Sequence, residues 1–395
     1  MAGRRPGGVG SGHGAAREGS PRRAGCGSVF WEKSLQPHLR RAKVSRWRSS
    51  YALEAGHRGK IGSMKKLIND PNDCARESIE GLALAFPHLL RKLERWQVVV
   101  RRDAPVANKV ALLSGGGSGH EPMFAGFVGP GLADGSVAGN IFASPPPPPI
   151  VAAAKAIHAG QGVLFLYGNY AGDVLNFDAA AEDLQADDIA VDTVRITDDV
   201  TSAPPERRQE RRGIAGDLFV IKIAGAAAAE GGSLAVVSAV ARKANDRTRS
   251  MGVALSSCII PASGKPIFGL GERDMEIGMG LHGEPGVHRG QLAPADAVAA
   301  MLVSRILADQ PLPAGSEVAV LVNGFGATPL AELYILFRAV RRLLDQAGVN
   351  TVRAFVGNYA TSIDMAGGSV TLLHLDGELK RWLLAPCASP ALTQC

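Results

Sequence analysis

Three short stretches of this chain hold side chains that could do chemistry, and each is set among glycines. The first is His282, in Met275-Glu276-Ile277-Gly278-Met279-Gly280-Leu281-His282-Gly283-Glu284-Pro285-Gly286. Glycines on both sides leave its imidazole unshielded. A neutral ring nitrogen is an acceptor and a nucleophile near neutral pH. The second is His120, directly after Ser114-Gly115-Gly116-Gly117-Ser118-Gly119. The third is Asp173, at the end of Gly168-Asn169-Tyr170-Ala171-Gly172. A carboxylate there can accept the proton of a substrate hydroxyl during attack on a phosphoryl group. Each has a plain structural alternative: a hydrogen-bonded core histidine for His282, a tight turn for the glycine loop, and a helix N-cap for Asp173.

The elements that must position these residues follow from periodicity. Val110–Ser114 reads as a strand running straight into the glycines, whose exposed amides would face a small polar ligand. Val163–Tyr167 is a buried strand, with Asp173 at the start of the following helix, and Met275–Leu281 is a strand with His282 at its mouth. Helical spacing is expected over Glu77–Leu93, Val151–His158, Ile214–Ala229, Leu234–Arg247, Asp296–Leu307 and Leu330–Gln346. Further strands are expected at Val98–Val100, Ala190–Ile196, Gly252–Ser256, Glu317–Val322, Val352–Val356 and Ser369–Leu375. The five prolines Pro145–Pro149 read as a rigid extended connection, and the charged run Glu206–Arg212 as a solvated helix face.

Alternating strands and helices imply an α/β fold: two α/β domains with largely parallel or mixed sheets. Their expected extents are 64–248 and 249–395, the second carrying His282. Ligands in such sheets sit beyond the carboxyl ends of the strands, so His120, Asp173 and His282 can share one site.

Composition narrows the function. With 395 residues, 46% hydrophobic and 20% charged, the chain has ample core. The net charge of +6 is concentrated in residues 1–63, which hold Arg4, Arg5, Arg17, Arg22, Arg23, Arg40 and Arg41 among others. That basic stretch lacks any sustained period and is expected to be a disordered extension, with Met64 a natural start of the ordered part. The remainder is near neutral, which argues against nucleic acid as a partner. No apolar run is long enough to span a membrane. The five cysteines show no CxxC spacing, so neither a disulfide framework nor a metal site is expected, and the cytoplasm is the default location. The glycine loop has neither a P-loop ending nor an intact dinucleotide fingerprint, which weakens a dehydrogenase reading.

Four motifs taken together, Ser114–Pro122, Gly168–Phe177, Gly280–Gly286 and Asn323-Gly324-Phe325-Gly326-Ala327-Thr328-Pro329, resemble the dihydroxyacetone kinase family, in its substrate-binding unit, from about Met64 to the C-terminus. The resemblance implies that His282 forms a hemiaminal with the ketone carbon of dihydroxyacetone. It further implies that His120 and Asp173 contact the sugar hydroxyls, with Asp173 as general base, and that Gly116, Gly117 and Ser118 line the bound ketose. Many relatives carry Lys where this chain has Gly168, so another small ketose such as erythrulose stays open, as does a non-enzymatic sensor. No nucleotide domain is recognisable. The resemblance therefore implies a kinase whose ATP and Mg²⁺, or phosphoprotein donor, come through a nucleotide-binding (L-type) partner subunit, and a homodimer.

Overall fold

The computed structural model describes residues 65–395, which lie in a compact unit of residues 62–395. The expectations for the basic extension, residues 1–63, and for Met64 as a start lie outside the described residues. The chain opens with helix α1 (Cys74–Ala85) and strands β1 (Leu90–Lys92) and β2 (Val98–Arg101). The single helix expected over Glu77–Leu93 thus ends at Ala85, and Leu90 joins an antiparallel pair with β2.

Next come β3 (Ala111–Ser118), β4 (Gly135–Ile141), α2 (Pro147–Ile157), β5 (Val163–Gly168), α3 (Ala171–Ala186) and β6 (Val191–Ile196). Strands β1 to β6 form one mixed sheet in the order β1-β2-β4-β3-β5-β6, its β4-β3-β5-β6 part parallel. The proline run does not stay extended. Pro147 opens α2, because the first-turn N–H groups that proline lacks have no intrahelical acceptor anyway.

Two helices follow, the buried α4 (Asp217–Ala229) and the half-exposed α5 (Leu234–Asp246). The second sheet is built from β7 (Thr248–Ala254), then, past the small hairpin β8 (Ile259–Ile260) and β9 (Lys265–Pro266), from β10 (Asp274–Ile277) and β11 (His288–Gln291). Helix α6 (Ala295–Asp309), β12 (Glu317–Gly324), α7 (Leu330–Gln346), β13 (Asn350–Gly357), β14 (Gly367–Leu375) and α8 (Gly377–Leu384) complete it. Its order is β11-β10-β7-β14-β12-β13, and only β12–β13 pair in parallel. Both sheets are therefore mixed, the second mainly antiparallel.

Strand alternation explains the layering. In the first sheet Leu113, Phe165 and Tyr167 pack with Ile150 of α2 and Phe177 of α3. Leu112, Leu164 and Leu166 face the other way, into a core with Phe219 of α4. That same core takes Leu321, Phe355 and Leu373 from the second sheet, whose opposite face packs on α6 and α7 through Val320, Val322, Leu302 and Leu336. Helix α4 thus lies between two sheets, which is why it is buried all round and, apart from Asp217 and Lys222, apolar.

One buried polar knot locks the crossover beneath β3. The Asp134 carboxylate accepts from the Arg101 guanidinium (3.1 Å), from the Leu112 amide (2.8 Å) and from the Lys109 ammonium. Asp134→Ala would leave two buried cations without this partner. The expected cost is about 3–5 kcal/mol, read as a lowered urea midpoint. A midpoint within experimental error of the parent would overturn this.

Candidate functional site

The glycine stretch departs from its expected form. Gly115 and Gly116 stay in the ladder with β4, and β3 continues to Ser118. The register shifts between Gly116 and Ser118, so Gly117 bulges out of it. A Cβ on Gly117 would lie 2.8 Å from the Ala143 nitrogen, and one on Gly116 would lie 2.6 Å from the Phe124 ring. These glycines let the Phe142–Ala143 segment press on the strand. The Ser118 hydroxyl is buried and donates to the Gly139 carbonyl at 2.7 Å. The feature that delivers His120 is therefore a tightly covered strand end, not an open loop.

His120 is 2% exposed and stacks on Phe142. Its Nδ1 lies 2.8 Å from the Thr361 carbonyl, which can only accept, so Nδ1 carries the hydrogen and Nε2 presents a lone pair. Burial and the nearby charge of His282 push its pKa down to about 3, which keeps the ring neutral. Thr361 comes from the distant C-terminal part, and its amide donates to the His120 carbonyl at 3.1 Å. The Asn323 side chain shapes this loop, donating to the Ala360 carbonyl and accepting from the Tyr359 and Ala360 amides. The fourth motif thus serves the site indirectly.

His282 reaches the same place from the second sheet. Strand β10 ends at Ile277 rather than continuing to Leu281, and the chain leaves the ladder through Gly278 at φ +82°. His282 therefore sits in a turn five residues beyond the strand. Its Nε2 is 3.0 Å from Nε2 of His120, and the ring packs edge-on against Tyr170 and Phe142. The side chain keeps 25% of its surface, so solvent reaches it. The plain reading of a buried core histidine fails on that exposure.

Asp173 is the third residue of α3, and the N-cap position belongs to Tyr170, without a side-chain cap bond. The capping alternative is thereby corrected. Asp173 is 9% exposed, and its Oδ1 has no hydrogen-bond partner among the described residues. Burial lifts its pKa to about 6, against the Ser144 hydroxyl and the charge of His282, which pull it down. A carboxylate so placed takes up a proton near neutral pH, as a general base must. The structure brings His120 and His282 into contact and Asp173 within range of His282's charge. A recess of about 700 Å³ borders Gly119 and Thr361 but neither imidazole.

Several polar residues around the site were not singled out from sequence. Glu284 contacts His282, and Arg212 links Glu284 to the buried Asp199. The run Glu206–Arg212 is not simply a solvated helix face: Arg211 is fully buried against Asp309, and Arg212 points to the site. Asp217, at the start of α4, is wholly buried, and neither carboxylate oxygen has a partner among the described residues. Burial and the charges of Asp198 and Asp173 push its pKa well above the ordinary carboxylate range. Glu284 lies inside the Gly280–Gly286 motif, and Arg211 and Arg212 end the charged run, but neither pattern by itself marks a role at the site; Asp217 had no signal. Among the described residues there is no cluster of three or more His, Cys, Asp or Glu suited to a metal ion, and no helix long and apolar enough to cross a membrane.

The Dak1 domain matches residues 80–391. The chain is 47% identical over 328 residues to a dihydroxyacetone-binding subunit DhaK of a PTS-dependent dihydroxyacetone kinase from Listeria innocua, covering 83% of this chain and 98% of that one. It is 45% identical to an L-erythrulose kinase from Pectobacterium atrosepticum, spanning 83% of this chain and 56% of that protein. The crystal structure of the dihydroxyacetone kinase from C. freundii in complex with AMP-PNP and Mg²⁺ superposes with a TM-score of 0.78 at 33% identity, over 84% of this chain and 61% of that one. The motifs, the two-sheet architecture and these matches agree: the chain belongs to the Dak1 domain family.

Proposed function

We propose that this chain is the ketose-binding unit of a dihydroxyacetone-type kinase, a phosphotransferase acting on an alcohol group. The observation that carries the reading is the pair of facing imidazoles, one buried and neutral, one reachable, with a proton-hungry carboxylate nearby. His282 Nε2 bonds to the ketone carbon, and the ketone oxygen takes up a proton, giving a hemiaminal. His120, neutral with a lone pair on Nε2, accepts a hydrogen bond from the sugar. Asp173 takes the proton of the hydroxyl that is phosphorylated. Gly116, Gly117 and Ser118 bound the ketose along the end of β3. Glycerol has no carbonyl to attack and is rejected for that reason.

The phosphoryl group comes from a second component: a nucleotide-binding (L-type) subunit with ATP and Mg²⁺, or one recharged by a phosphoprotein. The DhaK relative supports a partner of this kind, and the erythrulose kinase relative supports erythrulose as an alternative ketose. The test is reconstitution with a purified L-type subunit, supplied with ATP and Mg²⁺ or with its phosphoprotein donor. Formation of dihydroxyacetone phosphate is the expected result. Tight ketose binding with no phosphorylated product from either donor would overturn the kinase and leave the sensor. A higher kcat/KM for erythrulose would reassign the substrate. We further propose a cytoplasmic homodimer, consistent with the free thiols of Cys74, Cys258, Cys387 and Cys395. A monomer mass at sedimentation equilibrium, or membrane fractionation of the native protein, would count against it.

A further inference from the structure

We infer that Glu284, steadied by Arg212, is a positioning residue that holds the His282 ring as a charge-balanced cation before and after it bonds to the ketone; this rests on the function proposed above. Three contacts carry it. Glu284 Oε1 lies 3.1 Å from His282 Nδ1, and Oε2 accepts the His282 backbone N–H at 3.0 Å. The same carboxylate therefore holds both the ring and the main chain of the nucleophile. Arg212 Nη1 stands 3.7 Å from Oε2, and its guanidinium is pinned on Asp199 through Nε (3.0 Å) and Nη2 (2.7 Å). Asp199 is itself buried and accepts from the Thr201 hydroxyl at 2.6 Å.

The local backbone is shaped to admit this arrangement. Gly283 has φ +79°, which turns the chain so that residue 284 doubles back under residue 282. A Cβ on Gly280 would sit 2.2 Å from Glu284 Oε2 and 2.6 Å from Arg212 Nη1. Only glycine at 280 leaves room for the pair. Burial raises the Glu284 pKa, but the hydrogen bond and charge of His282 and the charge of Arg212 outweigh it and hold the group down at about 2.

The hydrogen count shows what the carboxylate does. The Thr361 carbonyl takes the Nδ1 hydrogen of His120, leaving a lone pair on His120 Nε2. His282 thus faces an acceptor at each ring nitrogen: Glu284 at Nδ1 and His120 at Nε2. Both contacts are satisfied together only when His282 carries a hydrogen on each nitrogen. On addition, His120 Nε2 first takes the Nε2 proton of His282, which frees a lone pair there, and that pair bonds to the ketone carbon. The carbonyl π pair moves to oxygen, and the proton released from Nε2 ends on that oxygen. The ring keeps its Nδ1 hydrogen and ends with its positive charge restored, so the step needs no outside reactant, and Glu284 balances that charge before and after. A charge-assisted hydrogen bond of this kind is about twice as strong as a neutral one.

The experiment compares the parent protein, Glu284→Gln, Glu284→Asp and Gly280→Ala. Ring ¹⁵N spectra of the ligand-free proteins report which His282 nitrogens carry hydrogen. Native mass spectrometry with dihydroxyacetone reports addition of one ketose without loss of water. The expected parent spectrum shows hydrogen on both His282 nitrogens at neutral pH. Glu284→Gln, which keeps shape but not charge, is expected to lose one of them and to form at least about tenfold less adduct. Glu284→Asp recovers part of the adduct. Gly280→Ala, which displaces the carboxylate without removing it, resembles Glu284→Gln and serves if that variant misfolds. An unchanged ring spectrum, or adduct at the parent level in Glu284→Gln, would overturn the inference. A parent that forms no adduct removes the proposed function, while the ligand-free ring spectra still decide whether Glu284 sets the protonation of His282.

Discussion

His282→Ala is expected to form no covalent adduct with dihydroxyacetone while folding as the parent does. Native mass spectrometry of the parent should show a mass increase of one ketose, and the variant none. The side chain is partly exposed and contributes aromatic edges rather than core volume, so its removal should leave the melting temperature within a few degrees. Phosphorylation in the reconstituted system should fall by about 10²-fold or more. A ketose held only by hydrogen bonds is free to shift, and misplacement of about 1 Å costs that much. Discrimination against glycerol should weaken in the same variant, because it rests on the carbonyl. An adduct of undiminished yield on His282→Ala would remove the mechanism, since no other nucleophile is assigned.

The second large effect belongs to Asp173. Asp173→Asn should retain the adduct yet lose about 10²–10⁴-fold in kcat, the range for removal of a general base. In the parent, kcat should rise with pH through about 6, the pKa to which burial lifts this carboxylate. The same shift carries a stability consequence. An acid whose folded-state pKa is raised favours the folded state when protonated. That contribution is fully present below the unfolded value near 3.8 and is lost as pH rises through about 6. At neutral pH the buried anion costs roughly 2–3 kcal/mol. Asp173→Asn should therefore unfold at higher denaturant than the parent at pH 7, with the gap closing below about pH 4. Full kcat in Asp173→Asn would exclude it as the base. Equal stability of the two proteins at pH 7 would exclude the burial argument.

These expectations began as positions in three glycine-flanked motifs, and much of the frame around them was legible. The strands at Val163, Val191 and Glu317 and the helix Leu330–Gln346 appear close to where apolar periodicity puts them. The errors have local causes. Residues 115 to 118 read as a loop, yet parallel pairing with β4 and cover from Phe142 and Phe124 hold them in a strand. The prolines read as extended, yet three of them fit a helical first turn, where their missing N–H groups cost nothing. The strand before His282 read too long because Gly278 and Gly280 alternate with apolar residues as a strand would, while Gly278's positive φ ends the ladder.

Sequence alone determined which glycine-flanked side chains are candidates for chemistry and that each lies shortly beyond a strand, because chain-local periodicity and glycine spacing report backbone geometry directly. It also showed, through four motifs read together, the family to which the chain belongs. Only the tertiary structure decided the protonation of the site. The neutral state of His120 depends on burial and on a carbonyl 241 positions away, and the carboxylate beside His282 belongs to Glu284, which pairs with Arg212 from an earlier part of the chain. Solvation and through-space charge fall off with distance in three dimensions, not along the chain, so they become readable only once the two sheets have brought their strand ends together.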